Sequence, residues 1–227
     1  MTKTSFALCV LSACVPAVLS LSAAQAQSVD EVEFDLHSNP AFEQCLGPNP
    51  QAHVHVMRGA LNDRLTISIS GIKPGLMFDL FTVQRSNLDP NGSVDPNFKG
   101  SFGLAWYQTD LQADDQGSGR ATIQTILLDQ IFGFDADTVP NTTPPVTRVP
   151  PTNTFHVGFW FNNPEDAAPC GFDPSKPTPF NGEHKAGPLA MISTPVPPVN
   201  LGPLCTSPTG VTEDENAQDP TKLLCNP

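Results

Sequence analysis

The chain is poor in positive charge: 11 Lys and Arg stand against 23 Asp and Glu, a formal net charge of −12 at pH 7. A surface of that sign repels phosphate backbones and anionic lipid, so neither nucleic acid nor an acidic membrane is a partner held by bulk charge. Long apolar runs are also scarce. A bilayer span needs about 20 continuous apolar residues, and the longest candidate, Phe6 to Leu21, is interrupted by Ser12, Pro16 and Ser20. Gly-x-Ser-x-Gly and His-Glu-x-x-His are missing, as is a glycine-rich phosphate loop, which removes the commonest signatures of nucleophilic, zinc-protease and nucleotide chemistry. No Cys-x-x-Cys occurs, so a redox dithiol or zinc knuckle has no support. Long helices are excluded by what is abundant: 25 prolines and 16 glycines in 227 residues interrupt any sustained run of i to i+4 bonding.

What the amino end does contain is a leader pattern. Lys3 supplies one positive charge, the interrupted apolar stretch follows, and Ala24-Gln25-Ala26 gives the small-x-small site that a signal peptidase accepts. Residues 1–26 read as a signal peptide cut before Gln27, and the mature chain as secreted or periplasmic. Leu11-Ser12-Ala13-Cys14 supplies an alternative, a lipoprotein anchored at Cys14. Cys9 and Cys14 leave with the leader, and Cys45, Cys170, Cys205 and Cys225 remain. An even number in an exported chain reads as two disulfides with three possible connectivities. The reading adopted pairs Cys45 with Cys170, and Cys205 with Cys225 across the carboxyl-terminal tail.

Periodicity then gives the fold class. Leu65, Ile67 and Ile69 alternate with Thr66, Ser68 and Ser70, the pattern of a half-buried strand. Ala52, Val54 and Val56 share one face of another strand, with His53, His55 and Met57 on the opposite face. Further strands are expected over 32–37, 77–84, 102–108, 121–128, 154–161 and 188–192, separated by turn clusters such as Gly71-Ile72-Lys73-Pro74-Gly75 and Asp114-Asp115-Gln116-Gly117-Ser118. Residues 133–153, with two Pro-Pro pairs, read as irregular loop. Seven or eight short strands without a helical run predict an all-β, antiparallel β-sandwich over 27–194, followed by a Pro-rich tail over 195–227.

The strand–turn–strand unit from Leu65 to Val83 resembles the corresponding hairpin of the copper/zinc superoxide dismutase and chordin-type β-sandwich families. The resemblance covers some 20 residues and implies a fold class. The dismutases carry a His-x-His pair in the strand after that turn, where this chain has Phe78-Asp79-Leu80-Phe81, so no family metal ligand carries over.

Three groups of residues can bear chemistry. His53 and His55, two apart on one strand, have the spacing to chelate copper or zinc, with His156 and His184 as candidate further ligands and Met57 as a soft neighbour that favours copper. Asp89-x-Asn91-x-Ser93-x-Asp95 spaces oxygens like the start of a calcium loop but has Val94 in place of the required glycine and Gly100 in place of the closing glutamate. Trp106, Tyr107, Phe159 and Phe161 are candidates to line a groove for a protein or carbohydrate ligand. Acidic pairs such as Asp114/Asp115, Asp135/Asp137 and Glu165/Asp166 fall in expected turns, where solvated carboxylates are the ordinary choice. The functional expectation is a secreted or periplasmic non-enzymatic β-sandwich acting in binding or as a surface component. The alternative is a metal-binding protein or dismutase-like enzyme using the His-x-His strand.

Overall fold

The computed structural model describes residues 31–57, 59, 62–103, 105–125, 154–178, 185–197 and 202–205. The expected leader, Cys14, His184, the 133–153 loop and Cys225, the expected partner of Cys205, lie outside the described residues. Among the described residues nine strands form in chain order: β1 (Glu31–Ser38), β2 (Gln51–Met57), β3 (Asp63–Ser70), β4 (Met77–Val83), β5 (Ala105–Gln112), β6 (Gly119–Thr125), β7 (Thr154–Phe161), β8 (Leu189–Ser193) and β9 (Leu204–Cys205). A helical turn, α1 (Glu43–Leu46), and a 3₁₀ segment, Pro164–Cys170, are the other elements among the described residues. No described helix is long and apolar enough to cross a membrane.

All pairings are antiparallel, and the strands run along one path, β5-β4-β7-β8-β1-β2-β3-β6, with β9 on the start of β7. The ends of the path, β5 and β6, are consecutive in the chain. A tight turn joins them, closed by the Asp114 N–H donating to the Ser118 carbonyl at 2.7 Å. Gly117 holds φ at +74°, and a Cβ there would lie 2.1 Å from the Ile72 carbonyl oxygen, so this corner demands glycine. The sheet thus curls into a nearly closed, barrel-like shape. The two layers expected from the sequence are its opposite walls, β6-β3-β2-β1 and β5-β4-β7-β8, knit together by the short pairing of Leu36–Ser38 with Met191–Ser193.

The walls differ in how they are covered. In the first wall, alternation decides burial: Val54, Val56, Leu65 and Ile67 face inward with no exposed surface, while their neighbours face solvent. In the second wall, Phe78, Leu80, Phe159 and Phe161 join those residues in the interior, with Phe78 and Phe159 rings 4.7 Å apart. On β4, β7 and β8 the outward side chains are buried as well. Phe81, Val83, Trp160, Leu189 and Ile192 form a second cluster with Leu88, and Phe102 sets its ring edge-on to Trp160 at 5.2 Å. Segment 84–103 therefore lies over the outside of β4 and β7. Burial on both sides is why these strands read as nearly continuous apolar runs instead of alternating.

Cys45 of α1 and Cys170 at the end of the 3₁₀ segment form a disulfide, with Cα atoms 6.1 Å apart and a sequence separation of 125. The 3₁₀ segment starts on Asn163, whose side chain accepts the Glu165 N–H, and ends on Gly171 in the left-handed region. Two boundaries depart from the sequence expectation. β5 runs later than 102–108 and is displaced by a register shift opposite Leu80/Phe81 that leaves Gln108 as an extra residue. Within the expected tail, Leu204 and Cys205 pair with Phe155 and Thr154, and Leu204 is buried in the interior cluster.

Candidate functional site

On the outside of the first wall, register lines up polar residues in rows across the strands. Glu33 pairs with His55, then Thr66, then Thr122; Asp35 pairs with His53, then Ser68, then Arg120. His53 Nδ1 donates to Asp35 Oδ1 at 2.8 Å, and His55 Nε2 donates to Glu31. Glu33 Oε1 stands 3.9 Å from the same nitrogen. Ligand atoms of Glu31, Glu33 and His55 lie within 4.8 Å of one another, so the strand pairing supplies carboxylates to His55 where the sequence pointed to more histidines.

His53 and His55 share a face as expected, but His156 does not join them. It projects from the second wall and is 2 % exposed, with Nδ1 at 3.0 Å from Ser193. An imidazole with two carboxylates suits zinc. The copper expectation through Met57 fits less well, because the Arg64 guanidinium donates to its sulfur at 2.9 Å and sets a cation against it. At the carboxylates of the Asp89–Asp95 stretch, the oxygens serve the chain itself. Asp89 Oδ1 accepts the N–H groups of Asn91 and Ser93, and Asp95 Oδ1 accepts that of Asn97. These are Asx turns, the geometry of a self-supporting loop.

The aromatic groove expected from Trp106, Tyr107, Phe159 and Phe161 does not assemble. Phe159 and Phe161 point inward and have no exposed surface, because alternation on β7 sends them to the interior with Phe155 and Val157. Trp106 and Tyr107 are 47 % and 49 % exposed. They pair with successive residues of β4, Thr82 and Phe81, and so face opposite sides of β5. Asp114 Oδ1, from one of the acidic pairs, caps the β5–β6 turn by accepting from Gln116 and Ser118. Asp135 and Asp137 lie outside the described residues.

Two concavities of similar volume form among the described residues, one beside Asp35, His53 and Ser68 on the first wall and one beneath segment 84–103; the second is the better defined by loop contacts. It has a volume of about 460 Å³, and its walls include Arg85, Asp89, Asp95, Asn97, Lys99 and His156. Arg85 donates to Ser101 Oγ at 2.8 Å across the loop. The Leu88–Val94 bridge and the Asx turns fix the loop's tip. Burial holds the His156 ring down to a pKa of about 4, against the opposing effect of its bond to the Ser193 backbone. The ring is therefore neutral at physiological pH. Apart from His156, and from Asp89 and Asp95 in the calcium-like spacing, these walls were not singled out by the sequence reading. The available signal was a long polar segment between two strong strands, which is where binding groups concentrate. Comparison of the chain with protein families, curated proteins and solved structures finds no match.

Proposed function

We propose that the chain is exported, loses residues 1–26, and acts outside the cytoplasm as a non-enzymatic binding protein whose ligand occupies the cleft beneath segment 84–103. The observation that carries this reading is the cleft itself: a concavity lined by charged, polar and apolar side chains, built over the part of the wall, β4 and β7, that is buried on both sides. Such a wall holds binding groups in place at little further entropic cost. The disulfide between Cys45 and Cys170 is compatible with an oxidising compartment. Protein-observed NMR on the full chain with a mixed library of small polar molecules tests the binding, and amide shifts confined to 84–103 and to the start of β7 are expected. An unperturbed cleft across the library overturns the reading. Mass spectrometry of the secreted or periplasmic protein tests the export, with Gln27 expected at the amino end. An acylated Cys14 would indicate a tethered form, and an intact leader on cytosolic protein would refute export.

A second reading is a divalent cation, zinc by its ligands, held by Glu31, Glu33 and His55, favoured by the convergence of their three ligand atoms. Binding would displace the His55 ring proton from Glu31 and weaken at low pH. Equilibrium dialysis should then show one zinc per chain, lost in His55→Ala and reduced at least tenfold in affinity in Glu33→Gln. Equal zinc uptake by all three proteins rules this site out. A superoxide assay on the zinc- and copper-loaded chain decides the dismutase-like alternative.

A further inference from the structure

The ring nitrogens of His156 have unequal roles. Nδ1 lies 3.0 Å from both the carbonyl oxygen and Oγ of Ser193. A carbonyl only accepts, so Nδ1 carries the ring proton and donates it. Oγ of Ser193 in turn accepts the Val157 N–H at 3.2 Å. Nε2 is left as a bare acceptor without a hydrogen-bond partner among the described residues, in a ring that is 2 % exposed and forms part of the cleft wall. With the ring proton held on Nδ1, Nε2 offers a ligand hydroxyl or amine an acceptor of fixed tautomer on the cleft wall.

The rest of the wall narrows what that donor belongs to. Arg85 and Lys99 carry positive charge and Asp89 and Asp95 negative charge, so a ligand of either net sign meets as much repulsion as attraction. The Asn97 amide and the Ser101 hydroxyl add uncharged donors and acceptors to the lining. Phe98 adds apolar surface, its ring 4.9 Å from that of Phe102, which packs in turn on Trp160. The volume of about 460 Å³ falls in the range of small-molecule sites, roughly 300–1,000 Å³. Many hydroxyls, no net charge and one apolar C–H face are the properties of a sugar.

We infer that the cleft takes a neutral saccharide unit, with one hydroxyl donating to Nε2 of His156 and a C–H face against Phe98. This rests on the binding reading above and specifies its ligand class. The test is saturation-transfer NMR and calorimetry on the full, oxidised chain with neutral mono- and disaccharides and with neutral oligosaccharides ending in the same units. Glucuronate, glucosamine, free lysine and free glutamate serve as charged probes. A neutral sugar should bind best, with affinity at least tenfold weaker in His156→Gln. The exposed-site variant Asn97→Ala, whose backbone bond to Asp95 is retained, should weaken it several-fold without altering the thermal midpoint. Binding to oligosaccharides alone would place the source in a longer glycan, and binding to both in a free sugar or a chain end. If charged probes perturb the cleft and no neutral sugar does, the saccharide assignment is overturned while the binding reading stands. If no probe perturbs it, both fall. Sugar binding equal in the parent and both variants would overturn the assignment by placing the site elsewhere.

Discussion

At the scale of single residues, His156 has the clearest consequence for solution behaviour. Folded, it titrates at about 4 because burial disfavours its charged form; unfolded, it returns to the ordinary 6.5. Between those values the unfolded chain binds the extra proton, so stability falls as pH drops from about 6.5 towards 4 and is fully retained above. The slope is about 1.4 kcal/mol per pH unit and the whole contribution about 3 kcal/mol. Urea unfolding of the parent and of His156→Gln at pH 7 and pH 4.5 checks this: the gap between the two proteins should shrink at the lower pH. A constant gap would mean that the ring is not buried neutral. His156 shows how far one sequence reaches. Its residue type marked it as a candidate, but Ser193, 37 positions on, fixes its tautomer on the second wall, away from His53 and His55, and no local pattern reports that pairing. His55 is the converse case, since its carboxylate partners lie on β1, more than twenty residues earlier, and become visible only through strand register.

Among the elements, β2 and β7 behave differently for a reason partly legible beforehand. β2 alternates, and one face is solvated; β7 is apolar almost throughout, and both faces are covered. Alanine scanning should reproduce the contrast. Val54→Ala is expected to cost about 2 kcal/mol and His53→Ala to stay within about 0.5 kcal/mol. Phe159→Ala and Trp160→Ala should each cost about 3–5 kcal/mol although they point to opposite sides. Chemical denaturation measures all four, and a mild Trp160→Ala would show that segment 84–103 does not seal the outer cluster. Strand identity was legible because burial on one side imposes a period of two. The limits of β5 were not, because an extra residue at Gln108 shifts its register and leaves Trp106 and Tyr107 both exposed on opposite faces. A groove drawn from aromatic residues by sequence proximity fails there for the same reason: neighbours on a strand point apart.

For the whole molecule, the antiparallel all-β class followed from turns and alternation, while the curling of one sheet into a near-barrel depended on which distant strands meet, a question composition cannot answer. The disulfide acts at this scale. Closing the 125-residue interval between Cys45 and Cys170 restricts the unfolded chain by about 5 kcal/mol in the chain-entropy treatment. Cys45→Ala/Cys170→Ala should lose about 2–5 kcal/mol with its far-ultraviolet circular dichroism unchanged, and dithiothreitol should impose a similar loss on the parent. An unaltered denaturation midpoint would assign the bridge no such role. The same bond also changes what damage can do. The exposed 89–93 turn lies inside the covalent ring that the bridge closes, so a protease that cuts there opens the backbone without releasing either fragment. The severed molecule would migrate as one species until reduced, and would keep its shape through a wound that divides an unbridged barrel in two.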